Sequence, residues 1–271
     1  MNRNKKGYLR AGLILTCVLF ALILLGFFWT PYDPTAMSGS EKFLGPSLRH
    51  IMGTDNFGRD IFSRVLKGAG LTAVIALSTV AIGAVCGTIV GALTGYFGGK
   101  VDAVLMRFND AMTAFPSMLL ALVLISVLGS GKYNVILALG IVFTPSFARV
   151  TRSAYASLRD ANYVKSARLM GAGRARILFV HLLPNTMQVL LPALTIGFNN
   201  AVLAEASMSY LGIGVTPPDA SLGYMLSEAQ SMIASAPWYA VGTGLMIVLL
   251  IFGVGLIGEG LQRRNGGQRY A

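Results

Sequence analysis

Glu205 is the one acidic residue that falls within a long apolar segment of this sequence. In a bilayer an ionisable side chain is costly and marks a functional site by default. It could face a water-filled path and meet an amino group or a cation. It could equally bond a neighbouring helix or lie at the membrane boundary. Asn199 and Asn200 stand one to two helical turns before it and share both readings. A second constellation, Asp55, Gly58, Arg59, Asp60 and Arg64, closes a polar segment. Asp60 and Arg64 are four apart and can pair on one helical face. The plain reading is a structured loop that caps the next apolar run, and the sharper one is a surface that meets another protein. A third stretch carries Arg149, Arg152, Arg159, Lys165, Arg168, Arg174 and Arg176 against the single acid Asp160.

Other chemistries find no footing. The string nearest a phosphate-binding loop is Gly129-Ser130-Gly131-Lys132, but Ser126 stands where its first glycine belongs and Tyr133 follows the lysine. His50 and His181 are far apart in the chain, and Cys17 and Cys86 lie inside apolar runs without ligand spacing. No Gly-x-Ser-x-Gly elbow occurs. No metal site and no catalytic residue are expected.

The elements that must position these groups are membrane helices. Charged residues make up 12% of the 271, where a soluble domain carries about 25%. Mean hydropathy is +0.64. Ala11–Thr30, Gly68–Gly99, Ala111–Gly131, Ile177–Ala204 and Ala229–Gly258 contain no charge, and Tyr133–Ala148 is a shorter sixth run whose arginines can snorkel. The expectation is an all-α, polytopic chain of about six transmembrane helices. Residues 1–67 would form an N-terminal tail, first span and outside segment, and residues 68–271 a five-helix permeation domain. The basic start resembles a secretory leader, but its apolar stretch is long and no small-x-small site follows, so an uncleaved first span is expected.

Net charge is +11. On a soluble chain that would suggest nucleic acid. Here topology explains it. With the N-terminus in the cytoplasm, most of the 22 Lys and Arg fall in segments 1–10, 100–110, 149–176 and 259–271. Only Lys42, Arg49, Arg59, Arg64, Lys67 and Lys132 fall outside. The bias gives N-in and C-in. In the second run Gly83, Gly87, Gly91, Gly95 and Gly99 recur every four residues, which predicts a close helix–helix contact, with the last glycine ending the helix.

The basic stretch breaks the apolar pattern. Tyr163, Ala167 and Met170, with Val164, predict a short amphipathic helix, which Gly171-Ala172-Gly173 then stops. Physics alone leaves its basic face equally suited to lipid phosphates and to an acidic protein groove. The spacing here resembles the loop of ATP-binding-cassette importer permeases that reads Glu-Ala-Ala, three residues, Gly, nine residues, Ile-x-Leu-Pro. Lys165, Ser166, Ala167, Gly171, Ala172, His181, Leu183 and Pro184 occupy that frame, with Lys165 for Glu, Ser166 for Ala and His181 for Ile. The resemblance spans nearly the whole chain. Pro31-Tyr32-Asp33-Pro34, the Gly53–Arg64 segment, Gly95 through Pro116, and Glu205 through Pro218 are similar to C-type permeases of dipeptide, oligopeptide and nickel importers.

What this resemblance implies is a bacterial inner-membrane, multi-pass permease subunit, with Tyr163 to Pro184 as a cytoplasmic coupling loop between spans 4 and 5. It implies a second, similar permease in a heterodimer, two ATP-binding subunits that use ATP and Mg, and an extracytoplasmic protein that delivers substrate to the outside segment. The cargo it implies is a di- or oligopeptide, with nickel or a metal chelate as the alternative.

Overall fold

The computed structural model describes residues 3–266; Arg269, counted above among the cytoplasmic cations, lies outside them. Among the described residues every regular element is helical, and the bridge between Thr54 and Asp60 is the one extended pairing. The chain enters as α1 (Arg3–Phe28). An irregular segment then leads to α2 (Ile61–Phe97), whose N-cap Asp60 accepts from Ser63 N–H at 2.8 Å. That bond satisfies one of the orphan donors of the first turn.

α2 pairs with α5 (Lys132–Leu158), and the glycine spacing sets the distance between them. A Cβ on Gly87 would stand 2.5 Å from Phe147 Cβ and 2.6 Å from Thr144 O. A Cβ on Gly91 would run into the Ala148 carbonyl, and one on Gly95 would lie 2.7 Å from Tyr155 Cβ. Lipid is as apolar as the side chains, so this contact is stabilised by van der Waals packing at short range. The helix ends at Phe97, with Gly98 at φ 63° as its cap, so Gly99 opens the next helix instead of closing this one.

The third apolar run departs from expectation. Ala111–Gly131 is not one rod. α3 (Gly99–Thr113) and α4 (Ser117–Leu128) meet at an 89° bend across Ala114–Pro116. Proline biases the residue before it away from helical backbone and supplies no N–H, so the helix stops there. Arg152 then ties α3 to α5 by a bidentate pair with Asp102, Nε to Oδ1 at 2.5 Å and Nη2 to Oδ2 at 2.6 Å. The pair lies in the part of α5 that runs ten residues beyond the apolar run, to Leu158.

After α5 come α6 (Asn162–Leu169), a single turn α7 (Arg174–Arg176), a π-helical stretch Ile177–Leu182 and α8 (Leu183–Tyr210). The last three run on as one rod, Arg174–Tyr210. Pro184 has no N–H and its ring crowds the carbonyl four residues back. The wider π turn, closed by Leu183 N–H on Leu178 O, accommodates it. α9 (Leu222–Gln230) is short and capped by Ser221, and α10 (Pro237–Gly266) ends the fold. α10 packs on α1 and α8, and the main core lies among α1, α2, α8, α9 and α10.

Among the described residues, α2, α5, the α7–α8 rod and α10 are long and apolar enough to cross a bilayer, and the bent α3–α4 pair would make a fifth. The apolar part of α1, Gly12–Phe28, is shorter. The chain is an all-α polytopic membrane protein.

Candidate functional site

The basic loop forms an exposed lever. α6 buries Val164 and Ala167, and Val164 packs in a cluster with Tyr155, Ile177, Leu178 and Leu182. Tyr155 OH, itself buried, donates to Leu178 O at 3.1 Å. The helix stops by two backbone bonds: Gly171 N–H donates to Arg168 O at 3.0 Å, and Ala172 N–H donates to Ala167 O at 2.9 Å. This is a Schellman closure, which needs the φ of +81° that Gly171 supplies without steric penalty. The apolar residues therefore divide differently from the predicted stripe. Val164 and Ala167 hold the loop down. Met170 and its neighbour Leu169 point away, 81% and 89% exposed, and Tyr163 is 40% exposed beside the exposed Lys165 and Ser166. Burial pushes the Tyr163 hydroxyl above its ordinary pKa, so it is neutral and able to donate.

Two cations brace the loop from outside. The Arg168 guanidinium lies 5.4 Å from the Tyr96 ring and donates to Arg159 O, while Arg174 lies 5.9 Å from the Phe97 ring. Contacts of this kind are modest at exposed sites. They fix the lever to the end of α2. The family-like residues His181, Leu183 and Pro184 sit on the π stretch and the first turn of α8. Asn185 donates to His181 O at 2.7 Å there.

The segment Gly53–Arg64 is a closed ionic knot at the opposite end of α2. Asp55 is fully buried and accepts from Phe57 N–H, Arg59 N–H, Arg59 Nε at 2.7 Å and Arg64 Nη1 at 2.5 Å. Glu228 of α9 completes it, accepting from Arg64 Nη2 at 2.7 Å, Arg59 Nη2 at 3.2 Å and Tyr239 OH at 2.8 Å. Gly58, at φ +73°, turns the chain against Ser38 O, where a side chain has no room. Asp60 and Arg64 do not pair. As the α2 N-cap, Asp60 folds back over the helix end to Ser63 and meets His50 Nδ1 at 2.9 Å, which leaves Arg64 to Asp55 and Glu228.

Glu205 is fully buried where α2, α8 and α9 meet. Its Oε2 accepts from Thr72 Oγ1 at 2.9 Å and its Oε1 from Ser209 Oγ at 2.7 Å. Thr72 and Ser209 in turn accept from Leu222 N–H at 3.1 Å and Val215 N–H at 3.0 Å. The carboxyl group thus holds the 211–221 loop and the start of α9 to the central helices and opens onto no path. Asn199 and Asn200 are not brought to it. Asn199 turns toward Gly255 of α10. Asn200 is exposed, on the face of α8 that also presents Leu203, Ser207 and Leu211. Leu203, Ser207 and Tyr210 line an apolar groove of about 620 Å³ between α8, α9 and α10, with Gln230 accepting from Tyr210 OH across it.

Sequence reasoning missed Glu228, Tyr239, Thr72 and Ser209. Glu228 carried one signal, a single acid between Asp219 and Glu259 in an otherwise uncharged stretch. A lone threonine in an apolar helix such as Thr72 carries none. Among the described residues no three His, Cys, Asp or Glu gather as metal ligands.

Residues 87–266 match the family profile described as binding-protein-dependent transport system inner membrane component. The dipeptide transport system permease protein DppC of Alkalihalophilus pseudofirmus is 36% identical over 97% of this chain and 86% of its own. The di/tripeptide permease DppC of Pseudomonas aeruginosa is 38% identical over 94% and 85%. The glutathione permease GsiD of Pectobacterium atrosepticum is 36% identical over 94% and 87%. Among solved structures, an inward-facing form of the MetNI methionine ABC transporter aligns with a TM-score of 0.63 at 19% identity, covering 76% of this chain and 97% of that one. A second, an amino acid ABC transporter with histidines, gives 0.58 at 17%, covering 75% and 94%. At those identities the likeness is one of fold.

Proposed function

This chain belongs to the binding-protein-dependent transport system inner membrane component family, and from that membership we propose that it forms half of the path of a di- or oligopeptide importer and couples it to separate ATPase subunits. The observation that carries the reading is the α6 tip. Leu169 and Met170 are apolar and open, on a lever joined to two bilayer-length rods, α5 and α7–α8. A protein groove that covers those side chains can pass its own movement to both rods. An ATPase that binds the lever differently with and without ATP shifts the rods between states by that difference in binding free energy.

The rest of the assembly follows from the same premise. The chain is a transport subunit with six crossings and N-in, C-in topology in a bacterial inner membrane. A second, similar permease completes a heterodimer. Two ATP-binding subunits use ATP and Mg, so this chain binds neither. An extracytoplasmic binding protein delivers cargo to the face formed by Asp55, Gly58, Arg59, Asp60 and Arg64, where the knot supplies a rigid floor. The α8 face with Asn200 and Ser207, and the groove beside it, are the proposed wall of the path. Glu205 supports that wall from behind. The relatives compared above carry peptide, di/tripeptide and glutathione names, so a nickel or metal-chelate cargo is not favoured.

The test is uptake. The chain is reconstituted in vesicles with its partner permease, ATPase subunits and binding protein, and labelled di- and oligopeptides are offered. ATP-dependent accumulation is expected, with loss of uptake in Asn200→Leu. No accumulation of any peptide, or ATP-independent uptake, would contradict it.

A further inference from the structure

A cleft of about 790 Å³ opens on the outer surface of α2, between the end of α1 and the start of α5. It lies away from the α8–α10 groove. Its lining changes character along one direction. On α2 the lining residues are Arg64, Lys67, Leu71, Val74 and Ile75; Lys67, Leu71 and Val74 stand at i, i+4 and i+7, so one helical face runs from a cation into hydrocarbon over about 10 Å. α5 repeats the order with Lys132 first and Ile136 one turn deeper. α1 runs the opposite way and contributes Phe27 below Thr30. All three elements therefore put polar groups at the same mouth and apolar groups at the same depth. Exposed Phe28, Trp29 and Tyr133 mark that mouth as the level of a membrane–water interface.

The charges at the mouth divide cleanly. Lys132 is paired with Asp219 at 2.8 Å. Arg59 and Arg64 are committed to Asp55 and Glu228. Two lining charges have no ion-pair partner among the described residues. Lys67 spends one N–H on Phe27 O at 3.1 Å, which holds the ammonium at the mouth. Asp33 is steered by the Thr35 amide at 2.8 Å and hydroxyl at 2.7 Å. One open cation and one open anion, above an apolar trough, complement an amphiphile whose head carries both signs.

We propose that this cleft is a phospholipid site. A phosphatidylethanolamine would place its phosphate at Lys67, its ammonium at Asp33 and an acyl chain along Leu71, Val74 and Ile136. An anionic glycerol head would satisfy Lys67 and meet Asp33 with repulsion. The volume falls within the range of about 300–1,000 Å³ common for small-molecule sites, room for a head and the upper part of one chain. The site depends on the proposed membrane orientation only for which leaflet supplies the lipid.

The experiment uses the assembled transporter in vesicles that contain phosphatidylethanolamine or phosphatidylglycerol, each with the same photoactivatable acyl chain. Crosslinked peptides are mapped by mass spectrometry. The ethanolamine probe is expected to label the segment with Leu71 and Val74, or Ile136, about threefold over the glycerol probe, the scale of one or two exposed ion pairs. Lys67→Ala should lower that labelling, Lys67→Arg should retain it, and Asp33→Asn should remove the preference between heads. Equal labelling by both probes, no labelling of these segments, or no response to either charge substitution would overturn the proposal. Labelling that vanishes when the binding protein is added would also overturn it, by showing that a protein covers the cleft. Peptide uptake measured in the same vesicles reports on the importer reading separately, because lipid labelling requires no transport.

Discussion

The two ends of α2 are built on opposite principles. At the N-terminal end, Asp55, Arg59, Arg64, Glu228 and Tyr239 satisfy one another, though buried Asn56 Oδ1 in the same turn has no partner among the described residues. At the C-terminal end, α6 is held by two buried apolar residues, a glycine closure and exposed cation–ring contacts, and its largest apolar side chains are exposed. A buried ionic knot resists movement, since any opening strands charge in a poor solvent. A lightly anchored lever accepts it, provided something covers its tip. The difference assigns rigidity to one end and responsiveness to the other.

The sharpest way to break this contrast is at the knot. Arg64→Met leaves buried Asp55 and part-buried Glu228 with Arg59 as their remaining cation, and the expected loss is about 3 kcal/mol, read as a lower thermal midpoint of the detergent-solubilised chain. An unchanged midpoint would mean that the N-terminal end of α2 is no stiffer than the C-terminal end. Next in size is the rod that joins the two ends. Gly91→Leu pushes a side chain into the Ala148 carbonyl and Thr151, at an expected cost of about 1–3 kcal/mol or more, with α2 and α5 forced apart. Disulfide trapping between cysteines on the two helices would register the separation. Glu205→Leu should cost about 1–3 kcal/mol, because Thr72 and Ser209 lose their acceptor, while Glu205→Gln should retain most of the stability. If both variants behave alike, hydrogen bonding is not what holds the 211–221 loop. The smallest of these backbone and core effects is expected at the lever. Gly171→Ala places a Cβ at φ +81°, worth about 1–2 kcal/mol in local strain, and limited proteolysis around residues 169–173 should speed up.

The C-terminal end of α2, with its lever, was the more legible in sequence. Gly171 announced its own backbone geometry, and the Ala167-to-Gly171-to-Pro184 spacing is local, so residue type and distance along the chain sufficed. The glycine repeat of α2 was equally readable, since one residue type at a fixed period names a face. The ionic knot was not, because Arg64 finds Glu228 164 residues later, and sequence offered Asp60 only four residues away. Capping took Asp60 out of reach. The bend at Ala114–Pro116 was written in the proline, but an unbroken apolar run masked it. Glu205 was visible as an exception and its bonding was not, since Thr72 and Ser209 are unremarkable as residues.

The central claim, that the tip of α6 is the handle by which an ATPase works this chain, has a direct test. Leu169→Asp combined with Met170→Asp changes two exposed side chains, so the stability change should stay within about 0.5 kcal/mol per site. The doubly substituted chain is co-expressed with its ATPase subunits, and co-purification and peptide uptake are measured beside its thermal midpoint. The account predicts a near-normal midpoint with co-purification and uptake both lost. Retention of both at the level of the unaltered chain would contradict it.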